Sequence, residues 1–299
     1  MKYILKSLKR DFFNLLQFIK KPDDVQMQLS VKQKCLLIFN LLLVEIIFLI
    51  FFVVPADCFV RKCISVKTSD AFKNLGLSEM IFLAVIAAPV IEELVFRYAL
   101  RYNRLFSKCI SRKNWNKIFP YMVYISCIIF GFIHLDNYIH DSWMFYVLSP
   151  LIILSQLSGS LVLSYIRIRL NIFCSMVYHC LWNGLFAIAF PFVMLLFNNP
   201  YIDKSRNYDL KIDEQAFFYS NRPTSLKIDH INNTIYRIEA RQIQLQDLID
   251  DIYGKDRLTT DEALINISFT SKKGVSEDEF RNILKKKYEI EQKNRVKIN

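Results

Sequence analysis

Up to residue 198 the apolar positions of this chain are gathered into blocks of about 20 residues, the length at which a helix spans a bilayer; beyond it they recur at shorter periods. Before the first block, Leu5, Leu8, Phe12, Leu15, Leu16 and Ile19 fall at helical spacing among Lys6, Lys9, Arg10, Lys20 and Lys21. That pattern predicts an amphipathic basic helix over residues 2–21 lying on an anionic membrane surface, with a packed helix as the alternative. A polar link, Pro22–Ser30, leads to five predicted spans: Cys35–Val54, Met80–Leu100, Ile118–Leu135, Trp143–Ile166 and Asn171–Phe197. The last is about 27 residues long, enough to tilt or to break at Pro191. Between spans, Pro55–Ser78 reads as a loop, and the most basic loop, Arg101–Lys117, belongs in the cytoplasm together with Arg167 and Arg169. Five spans with the N-terminus inside place the tail outside.

After Phe197 the pattern is that of a soluble region. Ile228, Ile231, Ile235, Ile238, Leu245, Ile249 and Ile252 alternate steps of three and four, with Gln242 at one polar seam position. This predicts one long helix of coiled-coil type over residues 226–253, buried within the chain or self-associating. Ile265, Ile267 and Phe269 alternate with Asn266 and Ser268 as a short strand, and Ser276 with Glu279 forms a capping box for a helix carrying Phe280, Ile283, Leu284 and Tyr288 on one face. The expected fold is therefore all-α: a polytopic transmembrane helix bundle with an N-terminal amphipathic helix and a small soluble C-terminal α(+β) region. Its expected divisions are 1–30, 31–198 and 199–299.

Composition sharpens this picture in two places. Of the chain's 39 Lys+Arg and 28 Asp+Glu, residues 1–198 hold 21 and 11. The basic excess thus belongs to the membrane half, which points to an anionic leaflet and to no nucleic-acid partner. Seven cysteines show no zinc-ribbon spacing; Cys35, Cys127, Cys174 and Cys180 lie in apolar runs and read as small buried hydrophobes, and no disulfide is assigned to Cys58 and Cys63. The expected location is a membrane crossed several times, with the bacterial plasma membrane as the working assignment.

The chemistry lies in Pro89-Val90-Ile91-Glu92-Glu93-Leu94-Val95-Phe96-Arg97. From Ile81 to Leu100 the only ionised side chains are Glu92, Glu93 and Arg97, and a charge at membrane depth is costly unless it is paired or faces water. Glu93 and Arg97 are four apart in the better orientation for an ion pair. Glu92 points about 100° away on a helix and is left for other work. A structural role for all three, tying helices together, is the bland alternative. His134 ends the third span, and His179 and Asn183, four apart, point to one side of the fifth. Glu45, inside the first span, is read mainly as a pairing residue of the bundle, with a second functional carboxylate as the alternative.

This ordered set, Glu92-Glu93-x-x-x-Arg97, Phe130-x-x-x-His134 and His179-x-x-x-Asn183, resembles the CAAX protease and bacteriocin-processing family of intramembrane endopeptidases, whose best-known branch is the type II CAAX prenyl proteases. The likeness covers about residues 75–190, including Phe96, Gly131 and the Gly159…Tyr165…Arg167 run; Tyr98 departs from it where many members have glycine. The resemblance implies that Glu92 and His134 activate a water, that His179 and Asn183 donate to the oxyanion, and that Glu93 with Arg97 holds the geometry. It implies a peptide or protein substrate at the membrane, CAAX-type or other. No cofactor is expected: Glu92, His134 and His179 could form a two-histidine, one-carboxylate zinc site, but no H-E-x-x-H helix supports it and Asn183 is a poor zinc ligand. The competing classes are a transporter or proton relay, against which the lack of an internal repeat counts, and a catalytically silent scaffold.

Overall fold

The apolar blocks are helical, and proline shapes them. The computed structural model describes residues 2–64, 66–68, 75–139, 142–219, 223–255 and 257–292. Among these, four helices are long and apolar enough to cross a membrane: Val31–Cys63, Arg112–Asn137, Trp143–Arg169 and Ile172–Leu196. The fifth expected span is helical over residues 77–96, but it carries Glu79 as well as Glu92 and Glu93 and so falls short as an apolar span. Three helices widen to the i→i+5 ladder just before a proline: Leu49–Val53 before Pro55, Ile81–Ala87 before Pro89, and Gly184–Ala189 before Pro191. Proline lacks an N–H and crowds the carbonyl one turn back; a local π turn absorbs both faults and lets the helix continue. Residues 55–63 are therefore helix rather than loop, and the last span runs through Pro191 without a break.

The chain divides into two compact units, Met1–Lys73 with Ile81–Ala187, and Asn74–Met80 with Ile188–Asn299. In the first, helix Lys2–Lys20 buries Leu15 and Phe18 in a core shared with Leu41, Trp115, Phe119 and Tyr165. Asn40, one of two polar interruptions of the first span, donates to Asp11 (2.7 Å) and Ser7 (3.2 Å). This is the packed alternative for one face of that helix; its opposite face leaves Leu5, Phe12 and Phe13 exposed. Cys58 and Cys63 are both free thiols.

The helix bearing the glutamates stops at Phe96, not at Leu100, and residues 97–103 run on without helix. Helix ends leave carbonyls without donors, and here side chains supply them. Ser126 Oγ donates to Phe96 O (2.8 Å), and Arg167 donates through Nε to Arg97 O (3.0 Å) and through Nη2 to Tyr98 O (3.2 Å). Arg97 meets Ser160 and Arg101 meets Ile168 O. Gly131 tightens the same region, since a Cβ there would lie 2.7 Å from Leu157 Cδ2.

In this unit a short pair, β1 (Lys67–Thr68) and β2 (Tyr138–Ile139), is antiparallel. The second unit overturns the all-α expectation. Strands β3 (Tyr201–Lys204), β4 (Tyr208–Gln215), β5 (Ser225–Ile231), β6 (Thr234–Gln244) and β8 (Leu264–Ser276) form an antiparallel sheet of order β3-β4-β8-β6-β5, and β7 (Leu258–Thr260) pairs with β9 (Ile290–Gln292). Helices Leu245–Tyr253 and Glu277–Leu284 share its core, with Phe280 against Phe269. The strand expected at residues 265–269 is the middle of β8, and Ser276 Oγ caps Glu279 N (3.2 Å) as expected.

The long helix predicted for residues 226–253 is instead the β5–β6 hairpin and a nine-residue helix. Asn232 and Asn233 turn the hairpin with φ of 47° and 60°, the left-handed pair that a tight hairpin requires. Register shifts give β6 an extra residue between Ile235 and Arg237 opposite β5 and another between Ala240 and Ile243 opposite β8. A bulge converts a step of two into a step of three, so Ile235 and Ile238 both face the core and imitate helical spacing. With its own hydrophobic core, this unit should be dispensable for the fold of the helical one. A chain ending at Asn199 is expected to purify with its helical circular dichroism intact and to show one cooperative thermal transition; an aggregated or unfolded product would make the tail part of the helical fold.

Candidate active site

Within the helical unit a cavity of about 380 Å³ is lined by Glu92, His134, His179 and Asn183, together with Glu45, Gln156, Tyr178 and apolar walls from Ala84, Ala88, Phe130, Leu163, Trp182 and Phe186. All four reacting groups expected from the sequence thus share one cavity. They come from three helices: Glu92 from the last turns before Phe96, His134 from the cap of Arg112–Ile133, and His179 and Asn183 from Ile172–Asn183.

Glu93 and Arg97 lie beneath this surface, both with wholly buried side chains, and Arg97 Nη1 is 3.4 Å from Glu93 Oε1. The contact is ionic rather than a directed hydrogen bond. Arg97 hydrogen-bonds through Nη2 to Ser160 Oγ (2.7 Å), and its guanidinium carbon sits 4.0 Å from the Phe130 ring centroid. Glu93 accepts from more than its arginine. Ser175 Oγ donates to Oε2, and His179 Nδ1 lies 3.1 Å from Oε1. A carboxylate can only accept, so Nδ1 carries a proton, and Nε2 is the atom that faces Glu92 Oε2 at 3.6 Å. Glu93 therefore sets the tilt of His179 as well as pairing Arg97, whereas Glu92, with its side chain 27% exposed, has no arginine or serine partner among the described residues.

The other two groups are anchored by backbone carbonyls. His134 Nδ1 lies 2.8 Å from Phe130 O, one turn back at the helix end, so it donates there and leaves Nε2 as the ring's other nitrogen. Its ring packs on Phe130 at 4.6 Å, and Phe130 also meets His179 at 6.1 Å. Glu92 and His134 line one cavity without a direct hydrogen bond between them. Asn183 Nδ2 donates to Ala84 O (2.8 Å). In an i→i+5 ladder that carbonyl would take the N–H of residue 89, but residue 89 is proline; the vacancy is filled by Asn183, which keeps a second N–H.

Sequence reasoning missed Ser175, Ser160, Tyr178 and Gln156. Ser175 was findable, because it lies four residues before His179 on the same helical face. Ser160 and Gln156 carry no local signal, since only the packing of their helix decides what they face. Glu45, read as a pairing residue, accepts from Tyr178 and also lines the cavity. Among the described residues no three His, Cys, Asp or Glu side chains are grouped so as to hold a metal ion.

Residues 75–185 match the family model described as Type II CAAX prenyl endopeptidase Rce1-like. No curated protein and no solved structure matches the chain. The matched segment contains the Glu93–Arg97 pair and all four of the cavity groups expected from the sequence, and over those residues the chain is similar to the Rce1-like type II CAAX prenyl endopeptidases.

Proposed function

We propose that this protein is a multi-pass membrane endopeptidase that cuts a membrane-associated peptide, CAAX-type or of related design, with a water activated by Glu92. The observation that carries the reading is the division of labour between adjacent glutamates: Glu93 is consumed by Arg97, Ser175 and His179, while Glu92 faces the cavity opposite His179 Nε2. Glu92 takes a proton from water and the remaining hydroxide attacks the scissile carbonyl carbon. His134, held by Phe130 O, orients that water through Nε2. As the carbonyl π electrons move onto oxygen, the second N–H of Asn183 and the Nε2–H of the His179 imidazolium donate to it. Preorganised donors of this kind are worth about 3 kcal/mol each in the transition state. The imidazolium lies between two carboxylates, which balance its charge. When the C–N bond breaks, Glu92 returns its proton to the leaving amine.

No metal takes part in this scheme. Its support is Asn183, a neutral amide suited to donating a hydrogen bond rather than to holding a metal ion. The test is purified protein in detergent with farnesylated CAAX peptides and unprenylated controls, with and without chelator. Cleavage unaffected by chelator is the expected result. Failure to cut any peptide would remove the peptidase reading, and chelator-sensitive activity restored by zinc would replace the water-activation scheme with a metal site.

A further inference from the structure

Glu45 is the cavity carboxylate that the proposed chemistry does not use. It comes from helix Val31–Cys63, outside the matched segment, and is 3% exposed. Tyr178 donates its hydroxyl to Oε2; among the described residues Oε1 has no hydrogen-bond partner. Gly159 keeps that oxygen uncovered, because a Cβ at 159 would lie 2.8 Å from it. Gln156, one turn earlier on the same helix as Gly159, also lines the cavity, and its Oε1 is buried without a partner. Two acceptors from two helices, one of them a carboxylate, are therefore left without partners beside one cavity. The lining holds Glu45 and Glu92 but no lysine or arginine. An unpaired buried acceptor is costly, and a charged one more so, which makes the cavity complementary to a group that brings both N–H donors and positive charge.

We propose that Glu45 and Gln156 form a specificity subsite that receives a basic side chain, lysine or arginine, of the bound peptide close to the bond that is cut. The proposal rests on the reading of the cavity as a peptidase site. A backbone amide would satisfy one acceptor and leave the carboxylate without a counter-charge; an ammonium or guanidinium satisfies both. Gly159 is part of the design, since any side chain there would cover the oxygen that reads the charge.

The test separates binding from cleavage. Peptides that differ only in lysine or norleucine at successive positions are titrated onto purified Glu92→Gln protein in detergent, and the same set is offered to the wild type for cleavage. At one position lysine should bind at least about tenfold more tightly than norleucine. That ratio should fall to about one when Glu45→Gln is added. Glutamine still accepts from Tyr178, and a ratio taken within one protein is insensitive to the folded fraction. Gly159→Ala, whose Cβ presses on Oε1 and displaces the carboxylate without removing it, should lower the ratio as well. A ratio of about one in the starting protein, or a ratio unchanged by both substitutions, overturns the subsite. A lysine preference that depends on Glu45 without any cleavage by the wild type supports the subsite and sinks the peptidase reading; cleavage with no such preference does the reverse.

Discussion

Glu92→Gln is expected to abolish hydrolysis while the protein inserts, purifies and melts as the wild type does. Glutamine keeps the size and the hydrogen-bonding capacity of the side chain but cannot take a proton from water, and removing a general base costs about 10²–10⁴-fold in rate. Stability should hold because Glu92 is partly exposed to the cavity and makes one longer contact, 3.6 Å to His179 Nε2. The measurement is initial cleavage rate against thermal unfolding in the same detergent. If Glu92→Gln unfolded the protein while Glu93→Gln gave a stable but inactive one, the two carboxylates would exchange roles.

Glu93→Gln should lower stability and activity together. Glu93 is fully buried and meets a serine hydroxyl, an imidazole N–H and a guanidinium. Glutamine turns one acceptor oxygen into a donor, strands the Arg97 charge and loosens His179. Breaking one side of a buried pair costs about 3–5 kcal/mol, a large share of the stability of most domains. Arg97→Gln should cost a similar amount from the other side. The double variant Glu93→Gln with Arg97→Gln should regain part of the lost stability, since neither charge is then stranded, yet stay impaired in rate because His179 has lost the carboxylate that holds its ring. Strictly additive losses in the double variant would show that the two side chains are not coupled.

The residues that make the site were legible in the chain because membrane burial leaves few tolerable positions for charge. Two glutamates and an arginine in an apolar run announce themselves, and the i,i+4 spacing of Glu93 with Arg97 and of His179 with Asn183 follows from helix geometry alone. The separation of the carboxylates into one paired and one open followed from the same geometry. Local sequence could also place the capping serine at 276 and the alternation of β8, since both are short-range patterns.

What local pattern could not decide was anything settled by a distant partner. The helix bearing Glu92 ends at Phe96 because Arg167 and Ser126, far along the chain, satisfy its last carbonyls; within residues 81–100 themselves nothing marks the stop. Pro55 looked like a helix end and Pro191 like a place to tilt or break, but a widened turn ahead of each lets the helix through. Residues 226–253 carried a convincing helical seam that was in fact bulged strand. Ile235 and Ile238 are three apart and both buried because β6 takes an extra residue against β5, and that register exists only once the sheet has formed. Periodicity reports which residues face the interior. Tertiary pairing alone decides whether a step of three arises from a helical turn or from a bulge, because the free energy of burying the same isoleucines is nearly the same either way.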